Sequence, residues 1–417
     1  MLVLCSCAGA PPEIELASAE RILRTLAADS MEGRRSFTPG AEKGAAFISG
    51  EFAAIGLEPL GDLADFRQEF PVYEVSVENA RVVLNGREVP GDRTAVTSAG
   101  AAHLTTADDV EVIVIGEADN PRTAFFAFRA ATNTLVLLHP AHQEIFDRIR
   151  QYTGRSTRTI DPASGATTAM VLTSADQAES FEIDVTASTT EAGRIANIVG
   201  VIPGRRSDEL VMFSAHYDHI GIVRPVDGDS IGNGANDDAS GVAAVVELAR
   251  YFKATRRPER TLVFVAFIAE EMGGYGSRYL STQLSPDHIV AMFNVEMIGK
   301  VSAEGPARAW ITGWDESDFG SILEQADTSY TFYGDPHPER GLFTASDNAT
   351  FARLGVPAHS ISTTPMDGDP DYHQVSDEVE TLDLEHMTAT IRGIAAAAGP
   401  IISGEATPSR VDPSRMR

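Results

Sequence analysis

Histidine and acidic side chains follow three apolar runs in the second half of this 417-residue sequence. Continuous apolar runs of this kind are typical of strands buried on both faces of a sheet. The runs are followed by His216-Tyr217-Asp218-His219, by Glu270-Glu271 and by Glu296. Functional groups in an open α/β sheet gather beyond the carboxyl ends of its strands, so we expect these side chains to lie close together. Their types are those that bind metal ions in proteins.

Two further segments contain the same residue types. Asn236-Asp237-Asp238 precedes a helix predicted to begin at Gly241, and Tyr372-His373 lies in a predicted loop near the C-terminus. A single histidine after a strand is more often a hydrogen-bonded structural residue, and adjacent acids are common on protein surfaces. The pair Glu270-Glu271 is more informative, because a long apolar strand ends there and two consecutive side chains diverge. One of them can bind a metal while the other faces the water of that metal.

The elements that would position these residues alternate between strand and helix after about residue 190. The clearest helix is Gly241 to Phe252, whose apolar residues recur along one side. The predicted strands include residues 198–202, 210–213, 262–267, 291–295, 309–311 and 358–361. This alternation predicts an α/β fold with a mixed, mostly parallel central sheet and helices on both faces.

The predicted domain organisation follows from changes in residue composition and hydrophobic pattern along the chain. Residues 14–28 and 41–56 are predicted to be amphipathic helices of the catalytic domain. Residues 76–190 instead contain short β-prone runs separated by polar stretches, with no cluster of metal-binding residue types along the sequence. We therefore expect a signal-like terminus at 1–13, a catalytic domain at 14–75 and 191–403, a smaller β-rich insert at 76–190, and a disordered tail at 404–417.

The formal net charge of −27 argues against a nucleic-acid partner. A polyanion would be repelled by this surface rather than gain free energy from counterion release. A field of this sign attracts cationic substrates, such as free amines, and says little about the fold.

The only two cysteines, Cys5 and Cys7, lie at the N-terminus. The body of the protein therefore has no thiol for a nucleophile, a metal ligand or a disulfide. Leu4 and Ser6 precede Cys7 as in the end of a bacterial lipoprotein signal, although the basic segment and long apolar run are missing. We expect export to the periplasm or the outer cell surface, with Cys7 as the candidate lipid anchor. No other segment approaches the roughly 18 apolar residues that would span a bilayer.

Taken as a set, the chemistry-bearing segments resemble the M28 family of zinc exopeptidases, which includes bacterial aminopeptidases. The matching stretches are Ser214–His219, Gly234–Gly241, Ala269–Glu271, Asn294–Gly299 and Asp371–His373, with Met31–Arg34 and Pro39–Lys43 near the N-terminus. The insert resembles, less closely, the protease-associated domain of some members. The resemblance implies a zinc aminopeptidase-like fold and hydrolysis of peptide bonds, with release of N-terminal residues as the main expectation.

The resemblance also implies the metal ligands, for two zinc ions. His216 and Glu296 are expected to hold one ion, and Glu271 and His373 the other. Asp237 is expected to bridge both, and the peptide bond that follows it is often cis in this family. Glu296 stands where well-known aminopeptidases of the family often have aspartate, but a longer arm can still reach a metal.

Three further residues have implied roles in catalysis. Glu270 is expected to act as general base and then general acid. Tyr372 is expected to donate a hydrogen bond to the oxyanion. Asp218 is expected to accept a hydrogen bond from the imidazole of His216 and so fix its tautomer.

Three other functions stay open from the sequence. A carboxypeptidase or dipeptidase would share the metal ligands but recognise a substrate carboxylate, and no dedicated basic pocket can be identified. A glutaminyl cyclase would share the fold but typically uses one zinc ion, against which the complete ligand set argues. A non-enzymatic binding protein should lack ligands or the base, and none of them is missing here.

Overall fold

A computed structural model describes residues 13–416, apart from 106–108, 122, 129–131, 154–155, 164–165 and 327–328. The chain forms two compact units, one of Met1–Glu69 with Ile195–Arg417 and the other of Phe70–Arg194. Cys5 and Cys7 lie outside the described residues, so export and lipid anchoring stay predictions. Across the described ranges, every helix is too short or too polar to traverse a bilayer.

The helices and strands are numbered in chain order. The α-helices of the described chain are α1 (Leu16–Leu26), α2 (Pro39–Ile55), α3 (Thr123–Phe128), α4 (Gln143–Thr153), α5 (Gly241–Ala254), α6 (Tyr275–Ser281), α7 (Phe319–Ala326), α8 (Asn348–Ala352), α9 (Leu384–Ala397) and α10 (Gly399–Ser403). The strands of the first half are β1 (Glu58–Pro59), β2 (Arg67–Leu84), β3 (Arg87–Glu88), β4 (Thr94–Ser98), β5 (Ala102–Leu104), β6 (Glu111–Ile115), β7 (Thr134–Leu138), β8 (Thr157–Thr159), β9 (Thr167–Leu172) and β10 (Phe181–Ile202). The strands of the second half are β11 (Arg206–His216), β12 (Gly221–Val226), β13 (Asp229–Gly232), β14 (Arg260–Phe267), β15 (Ile289–Val295), β16 (Arg308–Ile311), β17 (Thr331–Gly334) and β18 (Ala358–Ser362).

The sheet of the first unit has the strand order β17-β16-β18-β15-β11-β14-β10. Strand β11 is parallel to both β14 and β15, and β15 is parallel to β18. Strands β10 and β16 join the sheet in antiparallel orientation. The predicted mixed, mostly parallel α/β sheet is confirmed.

Alternate residues of the central strands enter two separate cores, as the period of two in a strand requires. On one face, Phe213 of β11 stacks on Phe264 and Phe293 of the neighbouring strands, and Phe252 of α5 packs against it with 5.5 Å between ring centroids. On the other face, Met212 belongs to a core that α6 and α8 complete. Because both faces are covered, all eight residues of β14 are buried.

Local sequence signals account for several boundaries. Helix α2 has Pro39 at its first position and is followed by Gly56, whose φ of 80° is easily adopted only by glycine. The hairpin of β12 and β13 turns through Asp227 and Gly228, with φ of 52° and 96°. These two residues supply the left-handed conformations that a two-residue hairpin turn requires.

The unit of Phe70–Arg194 contains a four-stranded sheet of order β4-β9-β7-β6. Leu135 and Leu137 of β7 face one core, while Val136 and Leu138 face a second core that α4 completes. The pairing of β5 with β10 places His103 opposite Asp184, and Glu182 lies beside them. This group could not be recognised in the sequence, because His103 lies 81 residues from Asp184. Arg81 pairs with the same Asp184 carboxylate at 3.1 Å, which is typical of a surface ion-pair cluster.

The C-terminal segment differs from the sequence prediction. A disordered tail was expected from residue 404, but Val411 is only 2% exposed and packs into the core beneath β14 and β15. The Arg410 guanidinium donates hydrogen bonds to the carbonyls of Pro286 and Ile289. Isolated apolar residues in a polar segment have no periodicity, so this packing could not be recognised in the sequence.

Candidate metal centre

Three adjacent strands deliver side chains to one edge of the sheet. Strand β11 ends at His216, β14 ends three residues before Glu270, and β15 ends immediately before Glu296. Because β14, β11 and β15 are neighbours and parallel, their carboxyl ends meet. The loop that precedes α5 brings Asp237 to the same edge, and the loop after β18 brings His373.

The five side chains expected to be metal ligands form two groups that share Asp237. In the first group, Nε2 of His216 lies 3.3 Å from Oδ1 of Asp237 and 3.2 Å from Oε1 of Glu296. In the second group, Nε2 of His373 lies 3.2 Å from Oδ2 of Asp237 and 3.2 Å from Oε2 of Glu271. Each group therefore uses a different oxygen of the shared carboxylate.

These separations fit a tetrahedral metal site. Zinc binds nitrogen and oxygen ligands at about 2.0–2.1 Å, so two ligand atoms of one tetrahedron lie roughly 3.3 Å apart. Neutral imidazole and carboxylate are ligands that suit zinc. The donor set and its spacing therefore fit two zinc ions, with His216 and Glu296 at one, Glu271 and His373 at the other, and Asp237 at both.

The loop that contains Asp237 is held by two buried carboxylates. Asp377 accepts the backbone N–H groups of Asn236 and Asp237 at 2.9 and 3.0 Å. Asp238 accepts the backbone N–H groups of His216 and Met297, and so joins two strand ends to the loop. The Asp237–Asp238 peptide bond is cis, as the family resemblance implied.

The pKa values of the cluster reflect burial and close opposite charges. Burial raises the pKa of Asp237, but the nearby imidazoles of His219 and His216 outweigh it and hold that pKa well below its usual range. Hydrogen bonds to two carboxylates raise the pKa of His373 to about 10. Burial raises the pKa of Glu270 well above its usual range. The shared carboxylate is thus kept ionised, while Glu270 readily holds a proton.

The role expected for the Asp218 side chain is not what the structure shows. Nδ1 of His216 is bonded to the backbone carbonyl of Asp218 at 3.1 Å, while the nearer carboxylate oxygen is 3.9 Å away. The carboxylate instead accepts the backbone N–H of Glu270 and the hydroxyl of Ser36, both at 3.1 Å. The backbone of Asp218 therefore fixes the tautomer of His216, and its side chain positions the segment of Glu270.

Two residues that were not selected from the sequence contact Glu271 and Glu296. Each contacts the carboxylate oxygen that does not face a ligand histidine. His219 has Nδ1 2.9 Å from Oε1 of Glu271, and Ser346 donates to Oε2 of Glu296 at 2.8 Å. His219, Asp237 and Glu271 could themselves hold a metal, but Nδ1 of His219 lies 3.8 Å from Asp237, whereas Nε2 of His373 lies 3.2 Å from it. His219 therefore orients Glu271, and Ser346 orients Glu296. The only signal for His219 was its place in the segment 216–219.

Ser346 belongs to a row of polar side chains that crosses the sheet. Asn294 of β15 lies directly opposite Ser214 of β11 and Ser360 of β18. Its amide oxygen accepts from Ser214 at 2.7 Å, and its amide nitrogen donates to Ser346 and Ser360, each at 3.0 Å. Through Ser346 the row reaches the carboxylate of Glu296.

We expect His219→Phe to weaken metal binding at the group of Glu271 and His373 by about 10- to 100-fold, the usual effect of losing a partner that orients a metal ligand. Phenylalanine keeps the ring volume but cannot donate to the carboxylate. The measurement is competitive titration with a chromophoric chelator. His386→Phe is the matched control, because that buried histidine has no hydrogen bond at either ring nitrogen within the described chain. Equal affinities in the two variants would contradict the assigned role.

A cavity opens beside the metal ligands. Its walls combine acidic and apolar side chains, and Lys and Arg are absent from the described residues that line it. Tyr372 lines it as well, is 40% exposed and stacks on His373 with 4.0 Å between ring centroids. Ser346, rather than the neighbouring Asp347, faces the cavity. Its lining consists of His216, Asp237, Glu270, Glu296, Met297, Trp310, Thr312, Leu342, Ala345, Ser346, Ser360, Ser362, Met366, Tyr372 and His373.

A fully buried arginine supports the cluster from the N-terminal segment. The guanidinium of Arg34 donates to the carbonyls of Leu26, Tyr217, Asn233 and Gly234 at 2.5–2.9 Å. These bonds join the end of β11 to the loop that precedes Asp237. In the sequence Arg34 stands out only as part of a motif, since an arginine beside glycine in a loop is ordinarily expected on the surface.

Comparison with known proteins agrees with this geometry. Residues 197–398 match the model described as peptidase family M28. A probable zinc metalloprotease of Pyricularia oryzae is 34% identical over 163 residues, which cover 36% of this chain and 32% of that protein. A probable leucine aminopeptidase of Trichophyton verrucosum is 30% identical over 200 residues, 46% of this chain and 53% of that protein. The matches thus span between about a third and about half of these curated relatives.

Solved structures show the same fold over nearly the whole chain. A zinc aminopeptidase from Bacillus subtilis has a TM-score of 0.58 at 17% identity, with 96% of this chain and 98% of that chain covered. An aminopeptidase from Aneurinibacillus sp. strain AM-1 has a TM-score of 0.54 at 16% identity, with 93% and 94% covered. At these identities the likeness concerns the fold.

Proposed function

We propose that this chain, of which residues 197–398 match the model of peptidase family M28, is a zinc-dependent exopeptidase that releases N-terminal residues from peptides. The observation that carries the proposal is the cavity beside the metal ligands, with its acidic and apolar lining. A protonated α-amine fits the carboxylates, and an apolar first side chain fits Trp310, Leu342 and Met366. The described lining offers no Lys or Arg to a substrate carboxylate, which favours an aminopeptidase over a carboxypeptidase.

The proposed metal content is two zinc ions per chain, one for each ligand group around Asp237. Bound zinc supplies Lewis acidity at the scissile carbonyl and makes water more acidic. A glutaminyl cyclase is not favoured, since Glu271, His373 and Asp237 complete a second group beside that of His216 and Glu296.

The proton transfers are assigned to Glu270. This side chain lines the cavity and belongs to neither ligand group. It takes a proton from the attacking water and later delivers it to the leaving amine. Tyr372, on the opposite loop, donates its phenolic hydrogen to the developing oxyanion. The row through Asn294 and Ser346 holds Glu296 while this occurs.

We expect the protein to hydrolyse leucine p-nitroanilide and to leave the N-acetylated compound intact, because acetylation removes the α-amine that the carboxylates bind. A peptide with a blocked N-terminus and a free C-terminus serves as the carboxypeptidase substrate and should also stay intact. Chelation should abolish activity, and added zinc should restore it. Metal analysis should find about two zinc ions per active chain, one for each ligand group. Cleavage of the blocked peptides, or activity with one equivalent of zinc, would contradict the proposal.

A further inference from the structure

A second cavity, of about 200 Å³, adjoins the metal ligands. It is separated from the first cavity by the segment of Glu270 and Glu271, since Glu270 lines the first and Glu271 the second. The proposed function leaves this space without a role. Its lining consists of Arg35, Ser36, Asp218, His219, Ile220, Glu271 and Met272.

Arg35 is the cationic group of this cavity, and its side chain reaches the cavity by packing along Gly221. The aliphatic stem lies flat on Gly221, where a Cβ atom would be 2.5 Å from Cβ and 3.1 Å from Cδ of Arg35. Only glycine leaves room for this path. Within the described parts of the chain, the guanidinium forms no hydrogen bond or ion pair. An unpaired guanidinium at a cavity is a ready partner for a carboxylate.

The acidic side chains that line the cavity already have hydrogen-bond or ion-pair partners. The two oxygens of Asp218 accept from Glu270 and Ser36, and the two oxygens of Glu271 face His219 and His373. With Nδ1 of His219 bonded to Glu271, its Nε2 is buried and has no partner among the described residues. The group that the cavity offers to a ligand is therefore the unpaired guanidinium of Arg35.

We propose that this second cavity binds the carboxylate-bearing part of the leaving peptide, with Arg35 as the residue that recognises the carboxylate. The inference rests on the proposed function and specifies its substrate class. When the N-terminal residue occupies the first cavity, the scissile carbonyl lies at the metal ligands, and the rest of the peptide continues past Glu271 into the second cavity. The carboxylate of that part pairs with the guanidinium of Arg35.

The carboxylate can come from an acidic side chain after the cleaved bond or from the C-terminus of a short peptide. Two matched pairs of substrates distinguish these sources: Leu-Glu-amide with Leu-Gln-amide, and Leu-Ala with Leu-Ala-amide. In each pair only the carboxylate differs. The quantity measured is the ratio of kcat/KM within a pair, for the zinc-loaded full chain.

In the Arg35→Gln variant we expect this ratio to fall about tenfold for at least one pair, mainly through KM, as for the loss of a charge-assisted hydrogen bond. Arg256→Gln is the matched control, because it removes an equal charge from an exposed site of the same unit that lies outside both cavities. Its ratios should equal those of the unchanged protein. The pair whose ratio falls identifies the source of the carboxylate.

Two results would overturn the inference. If Arg35→Gln leaves both ratios unchanged while leucine p-nitroanilide is still cleaved by the unchanged protein, the second cavity does not bind a carboxylate and the proposed function stands. If the unchanged, zinc-loaded protein cleaves neither leucine p-nitroanilide nor these peptides, the proposed function fails and the inference fails with it.

Discussion

Replacing Glu270 by glutamine is expected to lower kcat by about 10²- to 10⁴-fold, the usual contribution of a general acid–base group. Glu270 lines the cavity but belongs to neither group of metal ligands. The amide keeps the shape of the side chain and removes its basic oxygen. Metal content and thermal stability should therefore match those of the unchanged protein. The measurements are steady-state kinetics on leucine p-nitroanilide and metal analysis of the same sample.

The adjacent variant Glu271→Gln is the natural control. Glu271 lies 3.2 Å from Nε2 of His373 and accepts from His219, so its replacement should weaken metal binding. If the Glu270 variant lost zinc while the Glu271 variant retained it, the two roles would be exchanged. If both variants kept full activity, the assigned site would be wrong.

Arg34→Met should lower the free energy of unfolding by roughly 4 kcal/mol, because it leaves four backbone carbonyls without their hydrogen-bond donor. Each buried acceptor without a partner costs about 1–3 kcal/mol, and hydration of the carbonyls recovers part of this cost. The side chain is fully buried, and burial lowers its pKa to about 10. Urea denaturation at a fixed zinc concentration measures the loss. Arg34→Lys should recover little, because one ammonium cannot reach four acceptors that a planar guanidinium spans.

Arg34 is also expected to affect the metal site, since its bonds to Tyr217, Asn233 and Gly234 position the segments of two ligands. Arg260→Met provides the comparison, because Arg260 is buried as well and donates to the carbonyls of Ile401 and Ala406, away from both cavities. Both variants should be destabilised, but only Arg34→Met should weaken zinc affinity in the folded protein. If the two variants bound zinc with equal affinity, Arg34 would contribute to the stability of the fold and not specifically to the metal site.

The fold class and the edge of the sheet that holds the site could be predicted because buried parallel strands require continuous apolar residues. The runs at 210–213, 262–267 and 291–295 all lie inside strands β11, β14 and β15. Parallel strands end at one edge, so the residues after them had to meet there. No comparable constraint applied to the C-terminal segment, where Val411 packs through a single side chain.

The contacts around the metal ligands could not be predicted to the same depth. Spacing alone brings Asp218 near His216, but the backbone conformation after β11 decides that the carbonyl, and not the carboxylate, meets the imidazole. Ser346 reaches Glu296 from a segment fifty residues away in sequence. Buried Arg34 bonds to the carbonyl of Leu26, eight residues away, and to three carbonyls between 183 and 200 residues away in sequence. Such long-range contacts leave no periodic pattern in the sequence.

The polar row of Ser214, Asn294 and Ser360 has a consequence for how the sheet assembles. Three parallel strands that are apolar throughout could pair in several alignments of nearly equal stability, and a slip by one residue would turn every side chain to the opposite face. In the native alignment the three polar residues stand directly opposite one another and satisfy each other. A slip by one residue against β11 would place the amide of Asn294 opposite Phe213 or Ala215 and remove its bond to Ser214, at a cost of about 1–3 kcal/mol. The row thus favours the native alignment over a one-residue slip, and it lies two residues before the metal ligands His216 and Glu296.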